Sequence, residues 1–177
     1  MKTFKRIVFG LLGLVVLLLL IGFLLPSSYS VQRSIDIAAP MEKVYPLVYN
    51  PKDWVRWGVW YRRDPAMQVS YSGPPAGVGA RWAWKSKSQG NGEMEFTVTE
   101  FNKSVAYKLS VEGWDGKLSG RLEFAPAGPG VRVTWIGEGD VGMNPIGRYF
   151  AALMDRMLGP DFEGGLANLK SLAEKGT

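Results

Sequence analysis

An uninterrupted apolar run near the N-terminus constrains this chain more than any other feature. Every residue from Ile7 to Leu25 is apolar or glycine. As a helix rising about 1.5 Å per residue, the run is about 28 Å long, close to the ~30 Å hydrocarbon thickness of a bilayer. It carries no polar stripe, unlike the amphipathic helices of soluble domains. We therefore interpret residues 7–25 as a transmembrane helix.

Basic residues before the run predict its orientation. Lys2, Lys5 and Arg6 should hold residues 1–6 in the cytoplasm, because cytoplasmic flanks are enriched in positive charge. The remainder then lies outside the cytoplasm, in the periplasm of a Gram-negative bacterium, with residues 26–30 as a stalk. The alternative is a signal peptide cleaved near Ser28, which would leave a secreted protein. The run exceeds the usual apolar core of about 7–15 residues, which favours a retained anchor.

The composition excludes several kinds of site. The chain has no cysteine and no histidine, so thiol nucleophiles, histidine proton shuttles and ordinary zinc sites are excluded. Three of the five net positive charges precede the apolar run, and the other basic residues are scattered. We therefore predict no nucleic-acid partner, no metal and no cofactor. No pair of acidic residues has a spacing that indicates acid–base catalysis.

Residues 31–177 show the pattern of one α+β domain. Val31–Ile37 alternates apolar and polar residues, which predicts a strand with one buried face. Two short helices follow, the second over Lys52–Trp60. Six further alternating segments are separated by glycine- and asparagine-rich turns, which predicts an antiparallel meander with one wet face. Met94, Phe96 and Val98 are expected to share the buried face of one such strand.

A long helix ends the domain. Asn144 is the predicted N-cap and Pro145 the first helical residue. Two apolar stripes of different phase follow: Ile146, Phe150, Leu153 and Met157, then Phe162, Leu166, Leu169 and Ala173. Pro160 lies between them, and proline removes a helical hydrogen bond, so we expect a kink or break there. This is the one element long enough to cover the apolar face of the sheet.

The domain resembles the SRPBCC superfamily, the START/Bet v 1-like helix-grip fold, and within it bacterial polyketide cyclase/dehydrase-like proteins. The resemblance lies in four segments: SIDIAAPMEKVYPLVYNPKDWVRW, YSGPPAGVGARWAWKS, GNGEMEFTVTE and GPDFEGGLANLKSLAE. It implies a seven-stranded antiparallel sheet wrapped around the C-terminal helix, with an apolar cavity between them. Members bind lipids, sterols, polyketides, quinones or plant hormones, and a minority are enzymes. The match rests on order and spacing, so it carries no catalytic residue to this chain.

Large apolar side chains at inward positions are the candidate cavity lining, although simple core packing is the alternative for each. They are Trp82, Trp84, Met94, Phe96, Tyr107, Leu109, Leu122, Trp135, Phe150, Met154, Met157 and Phe162. Aromatic and methionine side chains suit an apolar ligand because they offer large, adaptable contact areas. One of Arg148, Asp155 and Arg156 is a candidate to reach the cavity and hold a polar head group. An alternative places the tryptophans of the second short helix, Trp54, Trp57 and Trp60, on the bilayer surface.

These observations favour a membrane-tethered binding protein for a hydrophobic small molecule or lipid. Two alternatives remain open. One is an enzyme of the polyketide cyclase or hydrolase type, which would use aspartate, glutamate, tyrosine or arginine. The other is a protein-interaction module with a collapsed cavity.

Overall fold

The computed structural model describes residues 2–114 and 116–175. The helices are α1 (Lys2–Leu24), α2 (Met41–Tyr49), α3 (Trp54–Trp57), α4 (Val59–Arg63) and α5 (Pro145–Glu174), with a 3-10 turn at Pro51–Asp53. The strands are β1 (Ser28–Ile37), β2 (Gln68–Ser72), β3 (Arg81–Lys85), β4 (Gly92–Glu100), β5 (Ser104–Val111), β6 (Lys117–Ala127) and β7 (Gly130–Asp140).

Within these residues, seven strands form a single antiparallel sheet in the order β1-β7-β6-β5-β4-β3-β2. Strands β2 to β7 are the predicted meander, and β1 closes the sheet against β7. The buried face of the sheet packs on α5, which is the helix-grip arrangement. The α+β fold and the seven-stranded sheet around a long C-terminal helix are therefore confirmed, together with an apolar N-terminal helix.

Strand β1 begins earlier than its alternation predicted. Ser28 pairs with Asp140, and the backbone N–H of Val141 donates to the carbonyl of Ser27 at 2.9 Å. The ring of Tyr29 fits here because Gly139, its partner, has no side chain in the way. Residues 28–30, expected as stalk, are thus part of the sheet. Only three residues separate α1 from β1.

A β-bulge in β4 corrects the expectation for Val98. The register to β5 shifts between Phe96 and Val98, so the side chains beyond the bulge change faces. Met94 and Phe96 are buried as predicted, whereas Val98 is 49% exposed. Sequence alternation continues through the bulge and gives no sign of it.

Helix α5 runs from Pro145 to Glu174 as one helix, so of the predicted kink or break at Pro160, the break is wrong. Pro160 has no N–H to donate to the carbonyl of Arg156, and both residues are exposed, so water can satisfy that carbonyl. The predicted N-cap is confirmed: Oδ1 of Asn144 accepts from the N–H groups of Ile146 and Gly147 at 3.0 and 3.1 Å.

The two apolar stripes of α5 face in different directions. The stripe of the second half packs on the sheet: Phe162, Leu166, Leu169 and Ala173 are all buried. The stripe of the first half points outward: Ile146, Phe150, Leu153 and Met157 are 46–60% exposed. The phase change between the two stripes therefore does not mark a break. It marks the point along one continuous helix where the apolar residues turn from an exposed face to the face that packs on the sheet.

Ion pairs on the outer surface predict acid sensitivity. The guanidinium of Arg132 donates two hydrogen bonds to Asp36, at 2.7 and 2.8 Å, and holds the pKa of that carboxyl below its usual range. Arg33 does the same to Asp155, at 2.8 and 3.1 Å. A carboxyl whose pKa is lower in the folded chain stabilises the fold above its unfolded pKa of about 4. That stabilisation is lost as the pH falls through the folded pKa.

We therefore expect the urea midpoint of unfolding to fall when the pH is lowered from 7 to 3. The part of this loss that Arg132 contributes should disappear in Arg132→Gln. The measurement is urea unfolding followed by circular dichroism at both pH values. A midpoint that stays constant or rises at pH 3 would contradict the assignment.

Candidate functional site

Two adjoining apolar cavities lie between the middle of α5 and the buried face of the sheet. Each has a volume of about 220 Å³, and five side chains line both: Trp60, Met94, Leu109, Val111 and Leu158. We treat them as one site, called the cavity below. Since drug-sized sites span about 300–1,000 Å³, a ligand of that size would occupy both parts.

The structure places most of the predicted lining residues at the cavity. Eight of the twelve line its wall: Trp82, Trp84, Met94, Tyr107, Leu109, Trp135, Met154 and Phe162. Phe96 and Leu122 are fully buried in the adjoining core. Phe150 and Met157 belong to the outward stripe of α5, because that stripe has a different phase from the one that packs on the sheet.

Sequence reasoning missed the contribution of the short helices. Trp54 and Trp60 line the cavity, as do Tyr61 on α4 and Trp114 in the β5–β6 turn. The recurrence of tryptophan at every third residue was the available signal, and its alternative interpretation as a bilayer contact is wrong for two of the three. Trp54 and Trp57 are 2% and 0% exposed.

The buried indoles join the short helices to α2. The indole N–H of Trp54 donates to the carbonyl of Val48 at 2.8 Å, and that of Trp57 donates to the carbonyl of Leu47 at 2.9 Å. Each polar edge is satisfied at the end of α2, so the ring faces remain available for packing. This arrangement turns Trp54 toward the sheet and the cavity.

The deep wall of the cavity is built around Trp135. Its ring stacks on Phe162 of α5, with centroids 4.1 Å apart and an interplanar angle of 2°. Its indole N–H donates to the hydroxyl of Tyr107 at 2.8 Å. Gly137 makes the stack possible, because a Cβ there would lie 2.7 Å from the Phe162 ring. A Cβ on Gly165 would likewise lie 2.9 Å from the Trp135 ring, so two glycines bring helix and sheet together.

Two tyrosine hydroxyls of the wall accept hydrogen bonds from indole N–H groups, whereas the buried indole N–H of Trp114 has no hydrogen-bond partner in the described part of the chain. The hydroxyl of Tyr61 accepts from the indole N–H of Trp82 at 3.0 Å. Burial raises the pKa of Tyr61, and it also raises the pKa of Tyr107. Both hydroxyls therefore stay protonated at neutral pH and cannot serve as general bases.

Charged and hydrogen-bonding side chains lie at the margins. Gln89, Ser119 and Glu138 border the cavity, and Glu138 is ion-paired with Arg121 at 3.1 Å. In residues 2–114 and 116–175, no group of three or more acidic side chains is placed to hold a metal ion.

The polar residues of α5 do not reach the cavity. Asp155 is held by Arg33 on the surface, and Arg156 is exposed. Arg148 donates to the backbone carbonyls of Phe23 and Leu25 near the end of α1. The expectation that one of these three residues reaches the cavity is therefore wrong.

Residues 28–174 match the model of a protein family described as polyketide cyclase / dehydrase and lipid transport. The chain belongs to this family. The match covers the whole sheet and α5 but not α1, so the apolar helix is an addition to the family domain. The resemblance to the SRPBCC superfamily is thereby confirmed. No curated protein sequence matches the chain.

Solved structures share the fold at low sequence identity. A protein from Thermobifida fusca is 17% identical, with a TM-score of 0.62 over 82% of this chain and 93% of its own. Ara h 8.0201 is 11% identical, with a TM-score of 0.61 over 84% and 99%. A protein from Chromobacterium violaceum is 15% identical, with a TM-score of 0.59 over 82% and 96%. At these identities, the likeness shows the fold alone.

Proposed function

We propose that this protein is a membrane-tethered binding protein that holds a hydrophobic small molecule or lipid in the cavity. One observation carries the proposal: the cavity is walled by apolar side chains, including six of the seven tryptophans of the chain. The family description, which includes lipid transport, agrees with it.

The chemistry of the wall favours binding by shape and apolar contact. Each methylene group that enters an apolar site gains about 0.8 kcal/mol. Methionines at positions 94 and 154 adjust to irregular chains, and the aromatic rings supply flat contact area. A ligand with a polar head would place it at the margin, where Gln89 and Ser119 offer neutral hydrogen-bonding groups.

Two features of the cavity weigh against the alternative functions. The protein-interaction alternative expected a collapsed interior, and the space between sheet and helix is open. A cyclase or hydrolase needs a group that accepts or donates protons at the ligand. Burial keeps the hydroxyls of Tyr61 and Tyr107 protonated, and the carboxylate of Glu138, at the margin of the cavity, is ion-paired with Arg121.

The tether is α1. It is long and apolar enough to cross a membrane, and between Thr3 and Leu24 only Gly22 is buried, so α1 is not a core helix of the domain. A fully exposed apolar helix of this length finds its stable environment in lipid. We place residues 1–6 in the cytoplasm and the domain of residues 31–177 outside it.

A pair of fusions tests the tether and its orientation. We expect alkaline phosphatase fused after Thr177 to be active outside the cytoplasm. An N-terminal epitope tag should remain on the membrane-bound protein, because α1 is retained. A reporter active only in the cytoplasm would contradict the orientation, and loss of the tag from the mature protein would show cleavage of a signal peptide.

Quenching of tryptophan fluorescence tests whether the cavity binds an apolar ligand. We expect a fatty acid brominated at mid-chain to quench most of the tryptophan fluorescence of the full-length protein in detergent micelles, because bromine quenches on contact. The titration should saturate, and an excess of the unbrominated acid should restore the signal. Quenching no greater than that of a free tryptophan analogue in the same micelles would contradict ligand binding.

A further inference from the structure

The first half of α5 presents an apolar surface that the described part of the chain leaves uncovered. Ile146, Phe150, Leu153 and Met157 are spaced by four, three and four residues, which places them on one face of the helix. They are 46–60% exposed, and Met143, just before the helix, is 74% exposed. We call these five residues the α5 stripe. A continuous exposed apolar surface of this kind marks a contact with another phase or molecule.

Hydrogen bonds to α1 fix the position of the α5 stripe. The hydroxyl of Tyr149 donates to the carbonyl of Leu18 at 2.6 Å. Nη1 of Arg148 donates to the carbonyls of Phe23 and Leu25 at 2.7 and 3.1 Å. The last carbonyls of a helix lack helical N–H partners, so the guanidinium satisfies groups that would otherwise need water. The first turns of α5 are thus attached to the last two turns of the apolar run, from Leu18 to Leu25.

Close packing and a short connection hold this arrangement. Gly22 lies against Pro145, where a Cβ would be 2.6 Å from the proline carbonyl oxygen. The three residues between α1 and β1 span at most about 10 Å. The domain therefore cannot move far from the point where α1 leaves the hydrocarbon layer of the membrane. Tyrosine and arginine are also the residue types that suit the level of lipid head groups.

We propose that the first half of α5 lies on the bilayer surface, with the α5 stripe inserted at the boundary between head groups and acyl chains. This inference rests on the proposed tether. The bilayer is favoured over a second copy of the chain because the α1 contacts place the stripe at the height where α1 leaves the membrane. Interfacial helices of other proteins bury their apolar faces about 5–10 Å deep in this boundary.

The position of the α5 stripe gives the cavity a route to lipid. Met154 and Leu158 line the cavity, and each follows directly after a stripe residue, Leu153 or Met157. The membrane-facing side of α5 therefore borders its cavity-facing side. An apolar ligand can pass between bilayer and cavity along the helix without crossing bulk water. The ligand source this predicts is the outer surface of the membrane that holds α1.

Site-specific depth measurements test the proposal. The chain has no cysteine, so each introduced cysteine is a unique labelling site. Full-length Phe150→Cys and Met157→Cys are labelled with bimane and placed singly in phosphatidylcholine nanodiscs, with or without a lipid that carries a nitroxide on its acyl chain. Leu14→Cys reports whether α1 is in the bilayer, and Ala167→Cys, exposed on the second half of α5, is the matched control.

We expect the labels at positions 14, 150 and 157 to lose most of their fluorescence to the nitroxide, whereas the label at 167 keeps it. Quenching at 14 with labels at 150 and 157 as bright as at 167 would overturn the proposal and leave the tether intact. No quenching at 14 would overturn the tether and the proposal together. Thiol cross-linking of two copies through position 150 in vesicles, without nitroxide quenching, would show a second copy on the α5 stripe and also overturn it.

Discussion

Replacing Leu109 with tryptophan should remove most apolar-ligand binding while the domain stays folded. Leu109 lines both parts of the cavity and is only partly buried, so a larger ring can grow into the open space. Displacing just two methylene groups of a ligand, at about 0.8 kcal/mol each, weakens binding by roughly 1.6 kcal/mol, more than tenfold. Overpacking typically reduces the free energy of unfolding by about 1–3 kcal/mol.

The matched control is Val98→Trp, which adds the same ring on the neighbouring strand at a position outside the cavity that is 49% exposed. Binding is measured by titration with the brominated fatty acid, read as the concentration at half-maximal quenching, with the fold of each variant checked by circular dichroism. Equal affinities for Leu109→Trp and Val98→Trp would show that the ligand sits elsewhere.

Replacing Trp135 with alanine should destabilise the domain more than any other single truncation of the cavity wall. Its ring is 1% exposed and packs against four aromatic rings: Trp54, Trp57, Trp60 and Phe162. Truncating a buried aromatic residue to alanine reduces the free energy of unfolding by about 3–5 kcal/mol. The variant also deprives the buried hydroxyl of Tyr107 of its donor. Since domains are stable by only about 5–15 kcal/mol, a large share of the total would be lost.

Trp135→Phe separates packing from hydrogen bonding, because it keeps a ring to stack on Phe162 but lacks the N–H. We expect it to lose less than half of what Trp135→Ala loses. Urea unfolding of the full-length proteins in detergent micelles, followed by circular dichroism, gives both values. A loss below about 1 kcal/mol for Trp135→Ala, the size of an average surface or partly buried substitution, would contradict the central role of this ring.

The architecture was predictable because its signals are local. Alternation of apolar residues along each strand, with glycine turns between strands, indicates an antiparallel sheet without knowledge of any contact. The cap of α5 was predictable for the same reason, since Asn144 bonds to N–H groups two and three residues away. The prediction of an apolar helix at α1 likewise depends on composition alone.

The direction of each apolar stripe was not predictable, because it depends on what lies opposite. The two stripes of α5 look equivalent in sequence, yet one meets the sheet and the other is exposed. The same reasoning therefore predicts all four of Phe150, Met154, Met157 and Phe162 in the cavity lining, whereas only Met154 and Phe162 lie at its wall. A break at Pro160 was the simplest way to reconcile the two phases, and the helix does not need it.

The parts of the cavity wall that come from loops and short helices were also beyond sequence reasoning. Trp54 and Trp57 could be exposed or buried on spacing alone, and only the carbonyls at the end of α2 decide their orientation. Trp114 lies in a turn, where no period indicates a face. The bulge in β4 depends on pairing with β5 and leaves no mark in the alternation of its own strand.

Native mass spectrometry of the full-length protein, released from detergent micelles, tests most directly whether the cavity holds an apolar ligand. We expect the wild type, purified from membranes, to carry one noncovalently bound apolar molecule per chain, which collisional activation releases for identification. Leu109→Trp, purified in parallel, should appear largely as the bare chain. A wild-type protein that is ligand-free, and remains so after incubation with membrane lipid extract, would contradict the proposed function.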